Sequence, residues 1–334
     1  MILAYPDENR SEDFIKMGCK YVKVPFDSSS ANPIGDIRLF LLLNKVIRQH
    51  SPDIALLYTI KPCIYAGAAL RILHIPYICT VTGISPALIS PKAFIRIVTK
   101  HLSRIGYNGA SVVFFQNKMN LELYQKLRIA VGKHRLVAGS GVNTSKFEYC
   151  DYPEPSECTR YLYVGRLKKI KGLEELISAL LGLHDQGEKV ICRIVGESGD
   201  DIKGLDEAIR EGVVIHEDFS YDVRPYLEWC DAFILPSYGE GMSNVLQEAA
   251  ASGRPVLASD IPGCREIFDE GVTGIGFEPK NPDSLMNAMK HFAAIPHEKR
   301  VEMGKAARCK MEREFDRKHV VKAYTDAIKD IIGD

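Results

Sequence analysis

The sequence predicts an α/β chain of two parallel-sheet units in tandem, and three observations carry that prediction. Short β-rich runs alternate with helical ones along most of the 334 residues, at a spacing that requires parallel strands joined by crossover helices. The stretch Glu-Tyr-Cys-Asp-Tyr-Pro-Glu-Pro-Ser-Glu at 148–157 breaks the alternation and supplies poor material for either element. The formal net charge of zero also divides unevenly: residues 1–150 carry 19 Lys and Arg against 9 Asp and Glu, and residues 151–334 carry 24 against 34. With 46% hydrophobic residues the chain has material for two cores.

Taken in order, the first unit begins with an apolar run at Ile2–Tyr5 and a helical stretch at Glu8–Met17. Strand-like Tyr21–Val24, Ile54–Tyr58, Tyr77–Val81, Val112–Gln116 and Arg135–Val137 then alternate with helix-like Ile34–Gln49, Ile64–Leu73, Ala93–Ile105 and Leu121–Ile129. Beyond the break the series resumes with strands at Tyr161–Val164, Val190–Val195, Val213–His216, Ala232–Leu235 and Val256–Ala258. Helices fall between them at Leu173–Leu183, Leu205–Arg210, Val223–Trp229 and Val245–Ala251, and three more, Asp283–Ala294, Glu298–Phe315 and Arg317–Ile332, close the chain. Two such sheets in tandem leave a cleft between them.

Composition excludes several classes. No stretch approaches the roughly 18 apolar residues of a membrane span, and the N-terminus lacks the pattern of a signal peptide. The nine cysteines are odd in number, scattered, and never in C-x-x-C spacing, which argues against a disulfide framework or zinc knuckle and for a reducing cytosol. Between Asp53 and Glu122 there is no acidic residue, although seven Lys and Arg lie inside that stretch. Such a surface attracts phosphorylated ligands, acidic membrane or nucleic acid. No aromatic-interleaved basic strand or known module accompanies it, so nucleic acid is set aside.

Two segments carry chemistry. The first, Tyr161-Leu-Tyr-Val-Gly165-Arg166-Leu-Lys-Lys-Ile-Lys171-Gly172, turns from a strand end into a helix beginning near Lys171. Ligands of open α/β sheets bind off such strand ends. Arg166 and Lys171 can clamp a diphosphate there, although a basic turn is also an ordinary solvated surface feature. The second runs from Leu235-Pro-Ser-Tyr-Gly-Glu240-Gly241-Met242-Ser243-Asn244-Val245 through Glu248 to Gly253. Glu240 lies in the loop and Glu248 about one turn into the helix. The amides of Met242, Ser243, Asn244 and Val245 can bind phosphate or sugar hydroxyls, and the carboxylates can accept from hydroxyls.

These elements, G-R-L-x-x-x-K-G and P-S-x-x-E-G-x-x-x-x-x-x-E-A-x-A-x-G-x-P-V, resemble in order and spacing the donor-site signature of retaining family-4 glycosyltransferases of the GT-B fold. The resemblance implies two Rossmann-like domains with parallel sheets facing a cleft: an acceptor-side domain at 1–150, a nucleotide-sugar donor domain at 151–315, and a helix at 316–334 packing back on the first. It assigns Arg166 and Lys171 to the diphosphate, Glu240 with Gly241 to Asn244 to the donor sugar, and Glu248 to the ribose hydroxyls. Gly165, Gly196 and Val245 belong to the same lining. Phe219 falls in a segment similar to the family's base site, with Asp218 where a glycine is usual.

In the first half, Tyr58-Thr-Ile-Lys61-Pro62, Thr80-Val-Thr82-Gly83, Phe115-Gln-Asn117 and Gly139-Ser140-Gly141-Val142 resemble the branch that builds capsule, O-antigen and lipid-linked oligosaccharides. Lys61, Thr82, Gly83, Asn117 and Gly141 are accordingly acceptor-side candidates. Lys61 reads equally as a surface lysine or as a phosphate partner, and Thr82 stands where many members have a histidine. The family begins with a strand, a glycine-rich loop and a helix ahead of the strand that here reads Met1-Ile-Leu-Ala-Tyr5. The resemblance thus implies an N-terminal domain truncated by about one βα unit.

The implied activity is retaining hexosyl or N-acetylhexosaminyl transfer from a nucleotide sugar, a UDP-sugar in that branch, to a lipid-linked or polysaccharide acceptor. No cofactor is expected: the sequence has no D-x-D, and the cations take the metal's place. With a lipid-linked acceptor, the cations spaced by four along residues 91–105 read as a helix lying on an anionic membrane, which places the protein in the cytoplasm at the inner membrane face. A non-catalytic GT-B nucleotide-binding subunit is the alternative, and a sugar-nucleotide epimerase, whose product needs no acceptor, is a further one.

Overall fold

The computed structural model describes residues 2–5, 11–26 and 32–333, with backbone alone for 2–5. Glu8 to Arg10, part of the helix expected at Glu8–Met17, lie outside the described residues, as does Asp334. The chain forms two compact units, one of Met1–Leu136 with Thr325–Asp334 and one of Val137–Tyr324.

In the first unit β1 (Ile2–Tyr5) pairs with β2 (Lys20–Lys23), and β3 (Ala55–Tyr58), β4 (Tyr77–Val81), β5 (Val112–Phe115) and β6 (His134–Leu136) form a separate four-stranded sheet in that order. Every pairing is parallel. All residues of β4 and β5 are buried, as unbroken apolar runs covered on both faces should be. The helices are α1 (Ser11–Lys16), α2 (Pro33–His50), α3 (Ile60–Ile72), α4 (Ala93–Tyr107) and α5 (Lys118–Lys126). α2 starts on proline behind an Asn32 cap whose side chain accepts from Ile34 N at 3.1 Å.

The second unit holds one six-stranded parallel sheet, ordered β12 (Gly274–Phe277), β11 (Val256–Ser259), β10 (Ala232–Leu235), β7 (Thr159–Val164), β8 (Val190–Val195), β9 (Val214–Glu217). Its helices are α6 (Leu173–Asp185), α7 (Leu205–Arg210), α8 (Arg224–Trp229), α9 (Asn244–Ala251), α10 (Pro282–Ala294), α11 (His297–Lys310) and α12 (Arg317–Ile332), the last shared between the two units. The apolar faces of α6, α9 and α10 close over the sheet through Leu176, Leu180, Leu246, Leu285 and Phe292, all fully buried.

The acidic stretch 148–157, read as the boundary, is irregular as expected but packs on the second unit. Tyr152 is buried and donates its hydroxyl to Asp231 O at 2.8 Å, while buried Arg254 donates to Cys150 O at 3.1 Å and Asp151 O at 2.9 Å. Prolines deny the segment a helix or strand, yet its aromatic ring and free carbonyls still find partners. Two other expectations shift. The single helix foreseen at Glu298–Phe315 becomes α11 followed by a π turn at Met311–Phe315, which lets Phe315 O accept from Val142 N at 2.9 Å. The strand β12 was not foreseen, because its sequence Gly-Ile-Gly-Phe lacks a β-rich run.

Candidate functional site in the second unit

Because all strands of the second sheet run parallel, their carboxyl ends share one edge. Gly165 to Lys171 follow β7, Gly196 follows β8, Phe219 follows β9, the loop 236–243 follows β10, and the turn 260–266 follows β11. The expected helix start near Lys171 is a 3-10 turn over Lys169–Lys171, with α6 beginning at Leu173. Gly172 between them has φ +71°, and a Cβ on it would lie 2.0 Å from Pro236 O, so only glycine lets this turn touch the loop after β10.

That contact brings two predicted residues together. Lys171 Nζ and Glu240 Oε1 form an ion pair at 2.7 Å, both side chains mostly buried. Tyr163 donates its hydroxyl to Arg166 O at 3.1 Å. Burial pushes that phenol well above its ordinary range, with the Glu240 carboxylate adding and Arg166 opposing, so both charges face one tyrosine. The Arg166 side chain itself is exposed. Gly165 and Gly196 meet at neighbouring strand ends, where a Cβ on Gly196 would sit 2.0 Å from Gly165 O.

Ser243 caps α9, accepting from Leu246 N at 3.4 Å, and its own amide donates to Gly263 O at 2.9 Å. Glu266 Oε2 accepts from Gly263 N at 2.7 Å, bracing the turn behind the loop. Gly241, Met242 and Val245 are half-buried along the start of α9, and Asn244 is exposed. Glu248, one turn on, is half-buried. Burial raises its pKa from 4.5 to about 7, against the pull of Lys146 and Arg317. Beyond α9, Gly253 takes φ +78°, the left-handed cap its sequence position predicts. Phe219 is exposed beside Tyr221, ring centres 4.8 Å apart.

The remaining candidates lie elsewhere. Lys61, at the start of α3, pairs with Asp36 of α2 at 2.9 Å, on a cavity of about 450 Å³ in the first unit lined also by Pro25, Phe26, Asn32 and Leu39. Thr82 and Gly83 are half-buried after β4, and Asn117 is buried as the cap of α5, accepting from Asn120 N at 2.8 Å. Gly141 belongs to the second unit, where Val142 and Arg317 exchange a backbone bond of 2.9 Å beside it. Among the described residues no three His, Cys, Asp or Glu side chains gather as a metal site.

Residues 2–117 match the family model described as "Glycosyl transferase 4-like", and residues 158–294 match "Glycosyl transferases group 1". The chain is 25% identical over 296 residues to the N,N'-diacetylbacillosaminyl-diphospho-undecaprenol alpha-1,3-N-acetylgalactosaminyltransferase of Campylobacter jejuni, covering 84% of this chain and 78% of that one. A glycosyltransferase from Rickettsia africae superposes with a TM-score of 0.78 at 18% identity, over 99% of this chain and 90% of the other. Anabaena Alr3699/HepE, solved in complex with UDP, gives 0.76 at 18% identity over 98% and 92%. The chain is a glycosyltransferase of the GT-B fold.

For this glycosyltransferase, the site supplies what sugar transfer asks of a protein: cations and helix-start amides for an anion, and carboxylates for hydroxyls. Sequence reasoning missed the groups that support these. Glu266 and Asp36 were given no role from the sequence, and Tyr238 lay inside the loop motif itself. Tyr238 and Asp36 act through neighbours distant in sequence, Glu175 and Lys61, and Glu266 through Gly263, whose carbonyl reaches back to Ser243, contacts that spacing cannot show.

Proposed function

We propose that this glycosyltransferase moves a hexosyl or N-acetylhexosaminyl group from a UDP-sugar to a lipid-linked or polysaccharide acceptor, with the anomeric configuration retained. The observation that carries this reading is the meeting of the Lys171–Glu240 pair and the capped start of α9 at one sheet edge. Arg166 and Lys171 neutralise the departing diphosphate, assisted by the amides at the start of α9. Glu240 accepts from hydroxyls of the donor sugar, and Glu248 from those of the ribose. The acceptor hydroxyl approaches on the face the diphosphate leaves, and its proton departs with the diphosphate oxygen. UDP is supported by the nucleotide in the HepE complex, and a lipid-diphosphate acceptor by the name of the Campylobacter relative.

In the same reading α4 lies on an anionic membrane surface. Phe94 is 78% and Ile97 53% exposed there, interleaved with Lys92, Arg96 and Lys100. Among the described residues no helix is long and apolar enough to cross a membrane.

Calorimetric titration tests the donor site. UDP should bind more tightly than GDP, and Arg166→Ala and Glu248→Ala should each weaken UDP by about tenfold or more, the worth of a hydrogen bond to a charged group. Failure of both nucleotides to bind overturns the reading. UDP binding without transfer to any undecaprenyl-diphosphate sugar would favour the binding-subunit alternative.

A further inference from the structure

The loop after β10 is held from behind by groups that no sequence motif singles out. Tyr238 sits two residues before Glu240. Its hydroxyl donates to Glu175 Oε1 at 2.5 Å, its amide donates to Ile170 O at 3.1 Å, and Lys280 Nζ lies 5.0 Å from the centre of its ring. Glu175 comes from the first turn of α6, Ile170 from the turn that ends on Lys171, and Lys280 from the turn between β12 and α10. Burial, with the Glu175 carboxylate adding, pushes the phenol well above its ordinary range, so the hydroxyl remains a donor.

Two of these groups are kept at an energetic cost. Lys280 has φ +61°, left-handed backbone that a residue with a Cβ disfavours and a glycine would adopt freely. Glu175 Oε2 is buried with no hydrogen-bond partner among the described residues. Conformations and orphaned atoms of this kind persist where the surroundings over-determine them, and they cluster at functional sites.

We propose that Tyr238 is a positioning residue. Clasped by Glu175 and Lys280, it locks the loop that carries Glu240 to the turn that carries Lys171, holding carboxylate and ammonium at the spacing that receives the donor sugar. The inference rests on the donor-site reading above and deepens it. In that reading UDP keeps Arg166, Glu248 and the amides at the start of α9 when Lys171 shifts, whereas the sugar depends on Glu240 set against Lys171, so the loss is larger for the UDP-sugar than for UDP. Loss of the clasp therefore separates the two affinities, which a general loss of structure does not.

The test uses three variants of the full chain, titrated with UDP and with UDP-glucose and UDP-N-acetylgalactosamine as sugar probes, alongside thermal melts. Tyr238→Phe keeps the ring and removes the hydroxyl. Lys280→Gly removes the cation and relieves the backbone. Glu175→Gln keeps an acceptor oxygen. Tyr238→Phe and Lys280→Gly should each weaken the tighter-binding UDP-sugar by about tenfold and UDP, which keeps its other contacts when Lys171 shifts, by no more than about threefold. Glu175→Gln should resemble the wild type. Lys280→Gly should melt higher than the wild type as it loses sugar affinity, a combination no unfolding effect can give. Wild-type sugar affinity in the first two variants, or equal losses of UDP and UDP-sugar, overturns the clasp alone. A wild-type chain that binds no UDP overturns the donor-site reading and the clasp with it.

Discussion

In the proposed reading, Glu248 makes the donor site sensitive to pH. Its carboxyl, raised to about 7, holds a proton more tightly in the folded chain than in the unfolded one. Its contribution to stability is therefore fully present below the unfolded value of 4.5 and is lost as pH rises through about 7. The ribose binding proposed for it runs the other way, because only the ionised form accepts two hydroxyls. UDP affinity should rise by up to about tenfold between about pH 6 and 8, and Glu248→Gln should flatten that rise in a titration series. Arg254 shows a different residue-scale logic. It is fully buried, pairs with no carboxylate among the described residues, and donates to the carbonyls of Leu227, Cys150 and Asp151. Arg254→Met strands those carbonyls and should cost about 3 kcal/mol in a denaturant midpoint series.

Among the elements, α4 and α5 meet through a buried polar seam. Ser103 and Tyr107 on α4, and Asn120 and Tyr124 on α5, are buried, the two tyrosine rings packing edge to face at 5.4 Å. Tyr124→Phe keeps the ring in that packing and removes only the hydroxyl, so it should change stability by no more than about 1 kcal/mol in a thermal melt. The helices themselves were legible because they carry a 3.6-residue period. Buried strands such as β4 and β10 were legible as apolar runs. β12 was hidden by its glycines, and the π turn at Met311–Phe315 by the absence of any residue that marks a wide turn. At the site, the residues that touch ligand in the proposed reading stand in motifs, whereas Tyr238 and Lys280 act through space across more than 40 residues of chain.

At the scale of the whole molecule, the charge division matters most. A first half of +10 with no acid between Asp53 and Glu122 should bind vesicles of anionic lipid at low salt and release them as salt rises. Sedimentation with such vesicles across a salt series checks this, and Phe94→Glu with Lys100→Glu should abolish pelleting while leaving UDP titration unchanged. The tandem α/β organisation was readable from alternation alone. The place where the compact units divide was less so, because the 148–157 stretch looks like a linker in composition and behaves as packing material for the second unit.

The strand order of that second sheet also has a consequence for how the protein is made. β7 leaves the ribosome first yet occupies the sheet's interior, and its neighbour β10 follows only about 70 residues later, roughly 4–14 s at ordinary elongation rates. For that interval one edge of an apolar strand has no mate from its own chain. Nascent chains of this enzyme should therefore be bound by holdase chaperones while Tyr161 to Tyr163 wait for Phe233, and slowing translation between the two strands should lengthen that exposure.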